Sequence, residues 1–109
     1  MIAVVQRVLN ASVTVESPSH CESIQDGLCI FLGIETGDDS SQAKWMAKKL
    51  SNLRLFKDEN EKMNLSLQDI GGELLLISQF TLAGDCSKGN RPSFIRAAQP
   101  EIAEPLVHL

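Results

Sequence analysis

A short polar segment ends one of the most apolar stretches of this chain, and it holds the side chains best suited to chemistry. Ser78, Gln79 and Thr81 follow an apolar run at 74–77 (LLLI), and a loop with glycines and basic residues comes directly afterwards. Buried polar groups are nearly always hydrogen-bonded, so these side chains are expected to have partners. Two interpretations fit: ordinary hydrogen bonding at a strand end, or a site where backbone amides and small hydroxyls hold a carbonyl or an oxyanion.

Residues that would activate a hydroxyl nucleophile are scarce in this sequence. A Ser-His-Asp arrangement needs a histidine, and the two present are His20, in a predicted turn, and His108, at the end of the chain. Neither is a credible base for Ser78 or Thr81. The sequence also has no G-x-S-x-G elbow, no P-loop and no G-x-G-x-x-G motif. The segment therefore favours positioning and oxyanion stabilisation over general-base catalysis.

Arg7 is the second unusual polar residue. It follows Ala3 and Val5 and precedes Leu9 in an alternating row of the apolar N-terminal segment, and this row is predicted to face the core. Arginine is rarely buried without specific partners. Arg7 is therefore predicted either to lie at a sheet edge or to hydrogen-bond a defined group.

Cysteine usage argues against a metal site. Cys21, Cys29 and Cys86 are widely spaced and form no C-x-x-C motif, whereas a zinc site needs about four converging nitrogen or sulfur ligands. Free thiols in a reducing compartment are expected, and neither a metal nor a cofactor is predicted.

Net charge and hydropathy narrow the choice of partners. The net charge of −4 argues against a general polyanion binder. Basic residues nevertheless occur without acids at 43–57 and at 86–100, either as solvated surfaces or as a footprint for one phosphate-bearing ligand. No apolar run of eighteen or more residues exists, so no membrane span is predicted. The N-terminal segment places its charge inside the apolar run, unlike a secretory signal, and a cytoplasmic protein is expected.

The elements that must position these residues begin with strands. Apolar alternation predicts strands at 2–9, 11–15 and 21–24. A tight hairpin turn is predicted at 26–27, leading into a strand at 28–34. This last strand is apolar on both faces and is expected to be central in its sheet.

The second half of the chain mixes helix and strand. A helical period covers 43–51, and it is followed by a brief strand at 53–56 and a polar turn at 58–62. A second buried strand is predicted at 73–80 and a helix at 100–109. This order predicts an α+β fold, a mainly antiparallel sheet or open β-barrel with one or two packed helices.

Several short motifs together resemble the D-aminoacyl-tRNA deacylase family. The segment 78–82 (SQFTL) is similar to the signature of that family. The other similar segments, in family order, are 5–8 (VQRV), 11–15 (ASVTV), 33–35 (GIE), 53–56 (LRLF), 62–65 (KMNL) and 89–94 (GNRPSF). Collinear motifs are far more specific than any single one. The signature favours the D-specific branch over the related group that acts on mischarged L-alanyl-tRNA.

The resemblance implies a fold, a reaction and partners. It implies a homodimer of small β-barrel-like subunits with each active site at the dimer interface. The implied reaction is hydrolysis of the ester that joins a D-amino acid to the 3′ end of tRNA, as chiral proofreading in translation. Glycine mischarged on tRNA-Ala is an expected substrate too, because glycine has no side chain to reject. No DNA and no membrane partner is expected.

The resemblance also implies roles for single residues. Ser78, Gln79, Phe80 and Thr81 would line the pocket for the aminoacyl group and the terminal adenosine, with Thr81 and Ser78 as the catalytic candidates. The family is understood to use the 2′-OH of the substrate ribose to assist hydrolysis, positioned by protein backbone groups, and this fits the lack of a base. Arg7 matches the residue that holds a Gly-cis-Pro strand in place.

The chain departs from the family toward its C-terminus. It contains no Gly-Pro dipeptide, whereas family members use a Gly-cis-Pro strand to exclude L-amino acids from the partner subunit's site. We therefore expect one deacylase domain over 1–109 that lacks the family's C-terminal strands. Two alternatives stay open: a catalytically impaired remnant that binds tRNA or dimerises, and a different hydrolase in which Thr81 or Ser78 is a true nucleophile.

Overall fold

The structure, a computed structural model, describes residues 1–16, 19–87, 89–100 and 103. This part of the chain forms seven strands, one α-helix and one 3₁₀ helix. In chain order they are β1 (Ile2–Val8), β2 (Ala11–Glu16), β3 (Ser19–Ile24), β4 (Gly27–Gly33), α1 (Ser40–Asn52), β5 (Phe56–Lys57), β6 (Met63–Leu65), β7 (Glu73–Ser78) and the 3₁₀ helix (Phe80–Ala83).

The strands form three sheets. One sheet has the order β1-β4-β7, while β2 pairs with β3 and β5 pairs with β6. Both two-stranded sheets are antiparallel; Ala11 lies opposite Ile24 in the first and Phe56 opposite Leu65 in the second. The predicted α+β class with mainly antiparallel sheets is confirmed.

The central strand is β4, as its sequence predicts. It lies between β1 and β7, and Leu28 and Ile30 within it are fully buried. A strand with apolar side chains on both faces is stable only where both faces are covered. The most apolar segment of the chain therefore anchors the sheet.

The predicted hairpin turn at 26–27 is wrong, because β3 and β4 belong to different sheets. The amide of Glu73 donates to the carbonyl of Asp26 over 3.1 Å. A Cβ at Gly27 would lie 1.7 Å from the carbonyl oxygen of Glu73. Only glycine admits so close an approach, and β4 begins against the backbone of β7 instead of folding back on β3.

The second predicted buried strand is less buried than its sequence suggests. Only Leu75 is buried in β7, whereas Leu74 and Leu76 are each 39% exposed. The reason is position, since β7 is the last strand in the order β1-β4-β7. The strand predicted at 53–56 begins three residues further along the chain, as β5 (Phe56–Lys57). Its partner strand β6 was not predicted.

Close contacts divide the chain into two compact units. Unit 1 contains Met1–Val4, Phe31–Ala47 and the described residues from Ile77 onward. Its core consists of Leu32, Ile34 and Ala98, with Met1, Ala3, Met46 and Ala103 packed against it.

Unit 2 contains Val5–Ile30 and Lys48–Leu76. Its buried apolar side chains are Ile24, Leu28, Cys29, Ile30, Leu50, Leu67 and Leu75.

Part of the predicted C-terminal helix can be compared with the structure. The amide of Ala103 donates to the carbonyl of Gln99 over 2.9 Å, which is the bond of a first helical turn. Outside the described residues lie Ser17 and Pro18 of a turn that the sequence predicts at 17–19, Lys88, and, from the predicted helix, residues 101, 102 and 104–109 with His108. Within the described ranges, no helix has the length and apolarity needed to cross a bilayer.

Candidate functional site

The signature segment is fixed to the end of β4 by its backbone. Ser78 ends β7, and Gln79 is the cap residue of the 3₁₀ helix, with φ −148° and ψ 99°. The amide of Gln79 donates to the carbonyl of Leu32 over 2.8 Å, and the amide of Gly84 donates to the carbonyl of Thr81 over 3.0 Å. The chain therefore leaves the sheet at a defined point and turns at once into helical geometry.

Gly33 provides the space for this approach. A Cβ at Gly33 would lie 3.1 Å from both the carbonyl oxygen of Gln79 and the Cβ of Leu82. Contacts this short are rare for a real Cβ, so a side chain there would push the signature segment away from β4. The last residue of β4 is thus part of the support of the site.

The polar signature side chains are exposed, not buried as their position after an apolar run suggested. Ser78, Gln79 and Thr81 are all exposed to solvent. The side-chain amide nitrogen of Gln79 donates a hydrogen bond to the hydroxyl oxygen of Thr81. An amide nitrogen has no lone pair to accept a proton. Gln79 can therefore orient the Thr81 hydroxyl but cannot activate it as a base would.

The one histidine that the structure describes is paired with a carboxylate. The prediction that His20 lies in a turn is wrong: it lies in β3, where it pairs with Glu22, with Nε2 and Oε1 3.0 Å apart. His108 falls outside the described residues. Among the described residues there is also no group of His, Cys, Asp and Glu side chains suited to holding a metal ion.

Phe80 projects from the 3₁₀ helix and contacts a second aromatic ring. It is 57% exposed, and its ring meets that of Phe94 edge to face, with centroids 5.4 Å apart and planes inclined by 71°. A Cβ at Gly84 would lie 2.9 Å from Cε1 of Phe94. Phe94 belongs to the motif at 89–94, but its sequence context predicts no role for it, and none for Gly84.

The loop between these two aromatic residues is closed at its base. Asp85 and Ser93 exchange both backbone hydrogen bonds, at 2.7 and 2.8 Å. The amide of Ser87 donates to the Asp85 carboxylate over 2.9 Å. Hydrogen bonds from Ser87 and the nearby charge of Arg96 lower the pKa of Asp85. The closed loop carries Arg91, which is exposed to solvent.

The N-terminal ammonium group holds the chain that follows β4. The Met1 nitrogen lies 2.9 Å from the Glu35 carboxylate and 2.7 Å from the Asp38 carboxylate. Burial alone would lower the pKa of this ammonium, but hydrogen bonds and charges from Asp38 and Glu35 outweigh it and raise the pKa. Glu35 also lies 3.6 Å from the guanidinium of Arg96. Ion pairs thus stabilise the segment of unit 1 that directly follows β4.

Arg7 belongs to unit 2 and is exposed. Its expected place in a core-facing row is wrong, and the expected edge position and specific hydrogen bond are both found. β1 is one of the two outer strands of its sheet, and Nη1 of Arg7 donates to the carbonyl of Leu55 over 2.9 Å. A cavity of about 440 Å³ lies beside it, lined by Arg7, Val8, Leu9, Asp26, Phe56, Lys57 and Ile70.

The structure thus brings four of the five predicted site residues onto one turn. Ser78, Gln79, Phe80 and Thr81 are consecutive where β7 passes into the 3₁₀ helix. Such a turn offers exposed hydroxyls and the first amides of a helix, which have no acceptor within that helix. It suits the holding of a polar carbonyl group.

Comparisons with known proteins agree with the signature. The family model described as D-Tyr-tRNA(Tyr) deacylase matches residues 4–109. The chain is 56% identical over 101 residues to the D-aminoacyl-tRNA deacylase of Pelobacter propionicus (strain DSM 2379 / NBRC 103807 / OttBd1), covering 93% of this chain and 69% of that protein. It is 56% identical over 106 residues to the D-aminoacyl-tRNA deacylase of Clostridioides difficile (strain 630), covering 97% and 70%.

Two solved structures share the fold. One, described as c-Myc DNA Unwinding Element Binding Protein, is 42% identical with a TM-score of 0.87, and the match covers 97% of this chain and 70% of that one. The other, a probable eukaryotic D-amino acid tRNA deacylase, is 14% identical with a TM-score of 0.75 over 95% of this chain and 61% of that one, and supports the fold alone. From the family model and the curated relatives together, the chain belongs to the D-Tyr-tRNA(Tyr) deacylase family.

Proposed function

We propose that this protein hydrolyses the ester bond of D-aminoacyl-tRNA and so acts in chiral proofreading during translation. The observation that carries the proposal is the 56% identity to named D-aminoacyl-tRNA deacylases over almost the whole chain. Glycine mischarged on tRNA-Ala is the second proposed substrate. The identity also favours an enzyme over a remnant that only binds tRNA or dimerises.

The proposed reaction uses positioning instead of a strong base. A water oxygen attacks the carbonyl carbon of the aminoacyl group, and the bond from that carbon to the ribose 3′-oxygen breaks. One proton of the water passes to the 3′-oxygen, the amino acid leaves as its carboxylate, and the other proton is released to solvent. An ester is reactive enough for orientation and oxyanion stabilisation to supply much of the acceleration, and the 2′-OH of the substrate ribose assists.

We assign Thr81 and Ser78 as the catalytic residues and Gln79, Phe80 and Arg7 as substrate-binding residues. The bond from the Gln79 amide to the Thr81 oxygen leaves the Thr81 hydrogen free to donate to the substrate carbonyl. Phe80 offers an exposed ring for the terminal adenosine or the aminoacyl group. These assignments rest on the family signature and on the exposure of the turn.

The proposed partners follow from the same family. They are the 3′ end of aminoacyl-tRNA and a second copy of the chain in a homodimer, in the cytoplasm and as one deacylase domain. Arg91, exposed on the closed loop, offers a charge for a phosphate near the 3′ end. Neither a cofactor nor a DNA partner is part of the proposal.

The test is release of amino acid from charged tRNA. We expect the folded protein to release D-tyrosine from D-tyrosyl-tRNA and glycine from glycyl-tRNA-Ala faster than buffer alone does. L-tyrosyl-tRNA is the matched substrate for selectivity, and a single-stranded DNA of equal length is the control for binding. No release by a folded preparation would contradict the proposal, and tRNA binding without turnover would support the remnant instead. Analytical ultracentrifugation checks the homodimer.

A further inference from the structure

Phe94 contacts the signature segment at two points. Its ring packs edge to face on Phe80. Its Cε1 also lies 2.9 Å from the position that a Cβ at Gly84 would take. Both partners flank Thr81 in sequence, one on each side. A single ring therefore bears on both ends of the 3₁₀ helix that carries the site.

The backbone at Gly84 shows that the glycine is present for space. Its φ of −68° and ψ of 138° are accessible to any residue, so no conformational demand explains it. A Cβ there would meet the Phe94 ring at 2.9 Å and the Thr81 carbonyl oxygen at 3.0 Å. The Phe94 ring thus packs so closely on the end of the 3₁₀ helix that only a residue without a side chain fits at position 84.

Phe94 is held in turn by the loop that precedes it. The paired hydrogen bonds between Asp85 and Ser93 close the loop immediately before Phe94. On the other side, the amide of Ala97 donates to the carbonyl of Phe94 over 2.9 Å. The backbone of Phe94 is therefore fixed on both sides, whereas Phe80 is 57% exposed.

We propose that Phe94 is a positioning residue that fixes the ring of Phe80 for the reaction, with Gly84 providing the space it needs. The inference rests on the proposed deacylase function. A half-exposed phenylalanine exchanges rotamers freely unless a neighbour restrains it, and an edge-to-face contact restrains both tilt and position. A ring held in place beforehand needs no further ordering when the bound substrate passes to the transition state, so its loss should lower kcat.

The first experiment measures the ring itself. The sequence has four phenylalanines, so protein labelled with 4-fluorophenylalanine gives a small ¹⁹F spectrum, in which Phe80→Leu identifies the Phe80 signal. We expect that signal to shift in Phe94→Leu, which loses the ring current, and to stay near its wild-type position in Phe94→Tyr. Ile95→Ala, the loss of an adjacent and more exposed apolar side chain, is the matched control and should leave it unchanged.

The second experiment measures deacylation of D-tyrosyl-tRNA by the same variants. We expect Phe94→Leu to lower kcat roughly three- to tenfold, the range of an aromatic pair. KM should change less than about twofold, because phosphate contacts dominate affinity for nucleic acid. Phe94→Tyr should restore most of kcat. Gly84→Ala, which displaces the ring without removing it, should lower kcat as Phe94→Leu does.

The outcomes separate the two proposals. A wild-type protein without activity contradicts the proposed function, while the ¹⁹F signal still tests the contact. An unmoved Phe80 signal in Phe94→Leu overturns the positioning role, even if activity falls. A shifted signal with kcat within twofold of wild type also overturns it, because the position of the Phe80 ring would then have no effect on the reaction. If Phe94→Leu does not fold, the comparison of Gly84→Ala with Phe94→Tyr decides in the same way.

Discussion

The amide of Gln79 donates a hydrogen bond to the carbonyl of Leu32 over 2.8 Å, and this bond joins the signature segment to the central strand. Both groups belong to the main chain. Substitutions at 78–81 therefore remove functional groups without removing the anchor, since a main-chain hydrogen bond survives a change of side chain. Activity and stability should be separable at this turn.

We predict that Thr81→Ala folds like the wild type and keeps measurable activity. The Thr81 hydroxyl accepts a hydrogen bond from Gln79, whose amide nitrogen cannot act as a base. Its loss should cost roughly tenfold in kcat, the effect of one hydrogen bond. Thr81→Ser, which keeps the hydroxyl, is the control. Complete loss in Thr81→Ala, together with an acyl-enzyme trapped in the wild type, would establish a true nucleophile.

We predict different outcomes for alanine at the two ends of β4. Gly27→Ala places a Cβ 1.7 Å from the Glu73 carbonyl oxygen and should lower the free energy of unfolding by more than about 3 kcal/mol. Gly33→Ala meets Gln79 and Leu82 at 3.1 Å and should cost about 1–3 kcal/mol.

Activity should distinguish the two glycines further. At a temperature where both variants are folded, Gly33→Ala should lose more kcat, because it displaces the signature segment. Urea unfolding and deacylation assays measure the two effects. Gln25→Ala, an exposed change near Gly27, is the control. An active Gly33→Ala would show that the approach to β4 is unimportant for the reaction.

Arg7→Lys should separate binding from stability. The hydrogen bond from Arg7 to Leu55 is exposed, so the loss of unfolding free energy should stay below about 1.5 kcal/mol. A lysine cannot reproduce the planar guanidinium, and kcat/KM should fall if Arg7 contacts substrate. Equal kcat/KM in wild type and variant would remove Arg7 from the substrate-binding set.

The N-terminal ammonium predicts a loss of stability at alkaline pH. Its pKa is raised in the folded protein by Asp38 and Glu35. The stabilisation is therefore complete below the unfolded-state pKa and disappears as pH rises through the folded-state pKa. Protein acetylated at its N-terminus lacks this charge and should be less stable at pH 7. Thermal unfolding across alkaline pH should show the two forms converging; a constant gap would refute the assignment.

For Asp58 we predict the opposite pH dependence of stability, with a loss at acid pH. Its pKa is lowered by hydrogen bonds from the backbone amides of Lys62 and Asn60 and from the side chain of Asn64. The stabilisation is present above the unfolded-state pKa and is lost as pH falls through the folded-state pKa. Asp58→Ala should therefore lower Tm at pH 7 and lower it less at pH 2. Glu59→Ala, its exposed neighbour, should show no such convergence.

Local sequence patterns predicted where strands and helices form better than they predicted which strands pair with one another. β4 is apolar on both faces, and only a central position satisfies that pattern. The leucines of β7 form an equally apolar run, yet two of them are exposed, because hydrophobicity does not state whether a strand is central or outermost. The residues at 26–27 indicated a bend correctly but not the strand on which the chain would pair.

The candidate site was predictable where it is contiguous. The signature at 78–81 was found because its residues are neighbours in sequence. The contact between Phe80 and Phe94 joins two motifs that were both visible, but their adjacency depends on closure of the intervening loop. Sequence patterns do not show whether such a loop closes. The contact of Phe94 with Phe80 could therefore be found only in the structure.

The core of unit 1 has a consequence for the newly made chain. Met1 and Ala3 pack against a cluster that includes Ala98, so residues made early wait for a partner almost a hundred positions further along the chain. At the usual rate of translation, roughly 5–20 residues per second, that wait lasts about 5–20 seconds. During this time β1 has no finished core to cover it. The start of β1 is then an uncovered apolar segment of the kind that chaperones protect.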